Sequence, residues 1–153
     1  MHSLFVHAQT FAAFESNGLD TDGKTSIYHL SFVNKLFGRK VKGSLTIASY
    51  GLGCQVSRTI LETFGKLQFT AVFLLTPIDC EYVEVDLVFT MKKLVNKQLT
   101  SFLIAPWLMR GIAKNLAQDI PIWEHKIFQT HPLLCDGDGS ISQYRRWARQ
   151  FYS

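Results

Sequence analysis

The chain has 153 residues, 47% hydrophobic and 18% charged, with 16 Lys and Arg against 12 Asp and Glu for a formal net charge of +4. That size and balance describe one globular domain's worth of chain able to bury a core, and they exclude a disordered or collagen-like polypeptide. The cations are scattered through residues 35–42, 92–97 and 145–149, which reads as a solvated surface, not a nucleic-acid or anionic-membrane footprint.

Residues 27–33 read as the first strand. Residues 41–50 alternate weakly between apolar and polar, and residues 54–64 are rich in threonine and β-branched side chains. Leu67, Phe69, Ala71, Phe73 and Leu75 recur at every second position, with Val72 and Leu74 making the other face partly apolar. Val83, Val85, Leu87, Phe89 and Met91 alternate cleanly with Glu84, Asp86 and Thr90, the period of a half-buried strand. Turn signals at Gly51-Leu52-Gly53, Gly65-Lys66 and Thr76-Pro77-Ile78-Asp79 separate these segments. Connections so short predict an antiparallel meander, because parallel pairs need crossover helices.

After Lys92 the period changes. From Leu99 to Phe128 apolar residues recur at steps of three and four, through Phe102, Leu103, Trp107, Leu108, Ile112, Leu116, Ile120, Trp123 and Ile127. The pattern predicts an amphipathic helix of about 30 residues. Pro106 and Pro121 predict kinks or breaks in it. A loop over 132–139 and a short last helix from about Ser140 complete the chain. Trp107, Trp123 and Trp147 sit at helical spacings and read as core. Strands followed by a long helix make an α+β domain, with the helix laid against one face of a curved sheet.

Cys54, Cys80 and Cys135 are widely spaced and form no CxxC or CxH pair. Neither a zinc ribbon nor an iron–sulfur cluster can be built from them, and reduced thiols in a cytosol-facing compartment are expected. No signal-peptide pattern opens the chain. The apolar runs 71–75 and 102–109 are too short to span a bilayer, so an intracellular chain without a transmembrane segment is expected.

Two histidines, His2 and His7, form an H-x4-H pair. Spacing alone does not assign them: such a pair arises by chance in roughly one chain in six, and two polar residues at a chain end explain it as well. On an ideal helix five residues turn about 500°, leaving the rings about 140° apart, so convergence on one metal needs a break between them. Asp119, taken alone, is a polar position on a helix. His125 reads as helix surface and His131 as loop. Asp136-Gly137-Asp138-Gly139 reads as a tight turn, since it lacks the spaced oxygens and distal glutamate of a calcium loop.

Several runs taken together say more. Gln118-Asp119-Ile120-Pro121-Ile122-Trp123-Glu124-His125-Lys126, Leu134-Cys135-Asp136-Gly137-Asp138-Gly139, Tyr144-Arg145-Arg146-Trp147, Gln150-Phe151-Tyr152 and His2-Ser3-Leu4-Phe5-Val6-His7 resemble the catalytic half of the Rieske-type non-haem iron oxygenases. The likeness is to the steroid-acting branch, the cholesterol 7-desaturases and the bacterial 3-ketosteroid 9α-hydroxylase oxygenases. It runs from Met1 to Tyr152 and is densest after Gln118. Phe5-Val6-His7, Thr10 and Phe11 match the neighbourhood of the family's early H-x4-H.

The resemblance implies a helix-grip, START-like fold, in which the curved antiparallel sheet grips the long C-terminal helix. It implies a mononuclear Fe(II) held by His2, His7 and Asp119, a two-histidine, one-carboxylate set that leaves positions open for O2. The ligand set alone leaves catalytic zinc open. Also implied are a sterol substrate, 7,8-dehydrogenation of cholesterol as the reaction most alike, and NAD(P)H as reductant through a reductase or ferredoxin. Tyr144, Arg145 and Arg146 resemble the family's tail, expected to pin the last helix to the sheet. Relatives carry a [2Fe–2S] cluster on a separate N-terminal domain whose CxH and CxxH pairs this sequence lacks. The expectation is therefore a single shortened catalytic domain over 1–153 that cannot bind the cluster and is not self-sufficient without a Rieske-bearing chain. Homo-oligomers, and membrane association in full-length animal relatives, are further implications. The rival readings are a non-catalytic sterol- or lipid-binding helix-grip module, whose cavity would be lined by Phe69, Phe73, Phe89, Leu75 and Leu87, and an inert fragment.

Overall fold

The computed structural model of the chain describes residues 11–36, 39–62, 66–92, 105–127, 129–135 and 140–152. They fall into two compact units. One is built from Phe11–Lys92 and Ser140–Ser153, and the described part of the other is 105–127 and 129–135.

The first unit is a curved six-stranded sheet. Its strands are β1 (Phe11–Asp22), β2 (Thr25–Leu36), β3 (Arg39–Tyr50), β4 (Cys54–Leu61), β5 (Leu67–Pro77) and β6 (Val83–Met91). Each pairs antiparallel with the next, in the order β1-β2-β3-β4-β5-β6. This is the predicted meander, with one strand more. β1 escapes the reading because its run Glu15-Ser16-Asn17-Gly18 breaks the alternation, and the pairing with β2 shifts register between Ser16 and Leu19, where Gly18 takes φ +105°. Such an irregularity is what a glycine at positive φ permits. β4 ends at Leu61, and the rest of the expected 54–64 stretch lies partly outside the described residues.

Register sorts the side chains onto two faces. The pairs Leu30↔Leu45, Leu45↔Thr59, Thr59↔Phe69 and Phe69↔Met91 run across one of them. Leu19, Leu30, Phe32, Val41, Ile47, Leu67, Ala71 and Phe73 on this face are buried, Ile47 at 2% exposure. Each large apolar side chain so removed from water contributes about 1.5–3 kcal/mol. On the other face Tyr50, Arg58, Leu74 and Val88 are exposed.

The last helix, α2 (Ile141–Ala148), followed by a 3-10 turn at Arg149–Phe151, closes one end of this unit. Trp147 is buried, donates from Nε1 to the carbonyl of Gly23 at 2.9 Å, and stacks between Tyr144 and Phe151 at 5.3 and 5.1 Å. Gln150 donates to the same Gly23 carbonyl at 3.0 Å, and Gln143 to the carbonyl of Leu19 at 2.8 Å. These three side chains hold the helix to the β1–β2 hairpin. Of the expected anchors, Arg145 is half-buried and Arg146 exposed.

The second unit carries α1 (Ala105–Glu124), which lies inside the predicted 99–128 stretch; residues 99–104 and Phe128 lie outside the described residues. Pro106 stands in its first turn, where no backbone donor is needed. Pro121 is accommodated inside the helix, which continues to Glu124 instead of breaking. Among the described residues no helix is long and apolar enough to cross a membrane.

Candidate functional site

Helix α1 has one buried stripe: Ala105, Met109, Ile112, Leu116, Asp119 and Trp123 are half-buried or buried, and every other described side chain of the helix is exposed. The steps of four, three, four, three and four keep these positions on one face. The stripe differs from the one read off the sequence. Trp107, expected in the core, is 59% exposed, and Ile120 and Ile127 are exposed too. Trp107 is five residues from Ile112, about 140° round the helix, so it cannot share the face.

The position the pattern gave to Ile120 belongs to Asp119. Asp119 is 4% exposed, and its Oδ1 finds no hydrogen-bond partner among the described residues. A buried oxygen left unpartnered costs about 1–3 kcal/mol, and more when charged. A buried aspartate on an otherwise apolar stripe departs from what packing alone would select. The donor chemistry fits a divalent cation.

Of the three predicted ligands, Asp119 is the one the structure describes. His2 and His7 lie outside the described residues. Among those described, no group of three or more His, Cys, Asp and Glu side chains could hold a metal. His125 and His131 are exposed, as expected. The His125 Nδ1 donates to the Pro121 carbonyl at 2.7 Å, closing the helix end from a side chain. His29 stands on the sheet's outward face, 3.4 Å from the Thr46 hydroxyl. Cys54 is half-buried, and Cys80 and Cys135 are exposed. The Asp136–Gly139 turn lies outside the described residues.

On the sheet, Phe69, Phe73, Phe89, Leu75 and Leu87 share the inward face, as the alternation predicts, through the pairs Phe73↔Leu87 and Ala71↔Phe89. The Phe69 and Phe89 rings lie 5.5 Å apart. One feature of this face escaped the sequence reading. A single row across it runs Thr21, Ser26, Ser49, Gln55, Phe73, Leu87, polar on four strands and apolar on two. Ser26 and Ser49 are buried at 1% and 3%, and neither Oγ has a partner of full hydrogen-bond geometry among the described residues. Ser49 still lies near enough to Tyr144 to act on it. Burial raises the Tyr144 phenol above its ordinary value, the Ser49 hydroxyl opposes that rise, and Tyr152 adds to it. Inward parity of both serines on their strands was the available signal.

Comparison with known proteins bears on this arrangement. Residues 1–152 match the family model described as the 3-ketosteroid 9α-hydroxylase C-terminal domain. The chain is 32% identical over 132 residues to the cholesterol 7-desaturase nvd of Drosophila melanogaster, covering 82% of this chain and 28% of that protein. It is 30% identical over 139 residues to the cholesterol 7-desaturase nvd 1 of Ciona intestinalis, covering 88% and 27%. It is also 31% identical over 98 residues to the 3-ketosteroid-9-alpha-monooxygenase oxygenase component of Mycolicibacterium smegmatis, covering 60% and 24%. The matched segment spans about a quarter of the length of these curated relatives.

Proposed function

The chain belongs to the 3-ketosteroid 9α-hydroxylase C-terminal domain family, and from that membership we propose that it forms the iron-bearing half of a sterol-acting Rieske oxygenase. The reaction we assign is the O2-dependent 7,8-dehydrogenation of cholesterol or a close sterol; two relatives matched over more than four-fifths of the chain are named cholesterol 7-desaturases.

The observation that carries this reading is the buried Asp119 on an otherwise apolar helix stripe, its Oδ1 without a hydrogen-bond partner among the described residues. His2 and His7 complete the ligand set. When bound, Fe(II) supplies the oxygen chemistry that removes hydrogen from a sterol ring carbon. The chain's own part is to hold the ion and exclude water from it. Burial of Asp119 shields its oxygens from water that would compete with a cation for them. The apolar sheet face with Phe69, Phe73, Phe89 and Leu87 offers a surface suited to the flat hydrocarbon of the sterol. Electrons start from NAD(P)H and arrive through a [2Fe–2S] cluster on another domain or another polypeptide, since this sequence has no CxH and CxxH pairs.

Iron content of the anaerobically reconstituted chain tests the proposal. The expected result is about one Fe(II) per chain, lost in Asp119→Ala and in His7→Ala. A wild-type chain that retains no iron after desalting overturns it. The inward apolar face also suits a second reading, a sterol carrier without chemistry. Cholesterol binding that persists unchanged in a chain shown to bind no iron selects the carrier.

A further inference from the structure

We propose that the sheet unit holds a fixed internal water beneath α2, bound by the Ser26 and Ser49 hydroxyls and the Tyr144 phenol.

Ser26 and Ser49 stand directly opposite each other on β2 and β3, and both face inward. The Gly51 N–H donates to the Lys24 carbonyl. Two positions along the ladder, Ser26 and Ser49 therefore form a pair whose backbone N–H and C=O groups bond each other, which leaves the two hydroxyls to find partners elsewhere. They are 1% and 3% exposed, and neither Oγ has a hydrogen-bond partner among the described residues. Bulk solvent does not reach them, and buried hydroxyls without any partner are rare in folded chains.

The nearby hairpin carbonyls are already engaged. Trp147 and Gln150 donate to that of Gly23, and Gln143 donates to that of Leu19. Tyr144 brings a third hydroxyl, close enough for the Ser49 hydroxyl to offset part of the rise that burial imposes on the phenol.

These groups select the ligand. Each is a neutral hydroxyl that donates one hydrogen bond and accepts others, which suits a neutral molecule that does both and offers no counter-charge to an ion. Burial of the two serines leaves no mouth for an organic ligand. Across a pair of this class the Cα atoms stand about 5.5 Å apart, so one oxygen about 2.8 Å from each Oγ serves both. With the phenol it has three partners, the usual number for an internal water. The water ties β2 and β3 to α2, beside the bonds from Gln143, Trp147 and Gln150 that clasp the helix to the β1–β2 hairpin.

Oxygen-17 relaxation dispersion of the solvent counts long-lived internal waters and does not see exchanging hydroxyl protons. Wild type should hold one more such water than Ser26→Ala/Ser49→Ala, whose site is apolar on the sheet side and stays dry. Ser44→Ala, at an exposed position of β3, should leave the count unchanged. A crystal structure of wild type should show a water within about 2.6–3.2 Å of both serine oxygens, a readout that stands even if the double variant does not fold. Equal counts in wild type and double variant, a loss in Ser44→Ala as well, or a crystal in which the two serine oxygens bond each other directly or have no water between them overturns the site.

Discussion

The ring of Phe32 lies across the backbone of Gly43, its partner on the neighbouring strand. A Cβ placed on Gly43 would come within 2.5 Å of the Phe32 Cζ and 2.6 Å of its Cε2, with the Leu61 Cδ2 at 3.0 Å. Glycine normally weakens a strand interior, and here the aromatic ring covers the gap it leaves. Gly43→Ala should therefore destabilise the chain by about 1–3 kcal/mol through overpacking, despite the better strand propensity of alanine. Adding Phe32→Leu should recover part of that loss. Urea denaturation of the two single variants and the double variant checks it, the expected signature being strong non-additivity.

Trp147 gives a graded test at the other end of the sheet. Trp147→Phe removes the Nε1–H bond to Gly23, but Gln150 still donates to that carbonyl, so no acceptor is orphaned. The loss should stay near the net worth of one hydrogen bond plus some packing, about 1–2 kcal/mol. Trp147→Ala also removes the contacts with Tyr144 and Phe151 and should cost about 3–5 kcal/mol. Thermal melts of the pair would refute this assignment if the two losses were equal.

The Tyr144 phenol sets an alkaline limit. Its folded value is raised above the ordinary one of 10.0, chiefly by burial, so the folded state holds this proton more tightly than the unfolded chain does. The resulting stabilisation is fully present below the ordinary value and is lost as pH rises through the raised one. Tyr144→Phe should flatten that part of the stability–pH curve above about pH 10. Denaturation midpoints of wild type and variant across the alkaline range provide the comparison, and parallel curves would rule the phenol out as the cause.

Asp119 sets stability against function. Asp119→Leu places an apolar side chain on the buried stripe and removes an unpartnered oxygen. The metal-free variant should be more stable than wild type by about 1–3 kcal/mol, while losing the capacity to hold iron. Melting the metal-free proteins side by side decides the point. A less stable Asp119→Leu would make the carboxylate a structural element.

The architecture was largely legible in the sequence because a strand with one buried face writes its period directly into the residues, as Leu67 to Phe73 does. β1 was not, since a shifted register cancels the alternation the reader depends on. On α1 the outcome was mixed. Ile112, Leu116 and Trp123 were placed correctly, but the stripe drifted to Trp107 and Ile120 because a hydrophobicity pattern refuses a core position to aspartate. Asp119 entered the candidate site through family likeness alone, and its burial was not legible in the sequence. Ser26 and Ser49 passed unnoticed because serine is common on both faces of a sheet.

The bonds from Gln143, Trp147 and Gln150 to Leu19 and Gly23 join positions 124 to 127 apart in sequence, whereas every strand pairs with its immediate successor. Adjacent hairpins close small loops and zip early, while the largest loop carries the greatest entropic penalty and shuts last. On the ribosome the β1–β2 hairpin therefore waits for its clasp until residues 143–150 have emerged, long after the strands it belongs to. A premature stop before Gln143 would leave the sheet with one margin unfastened.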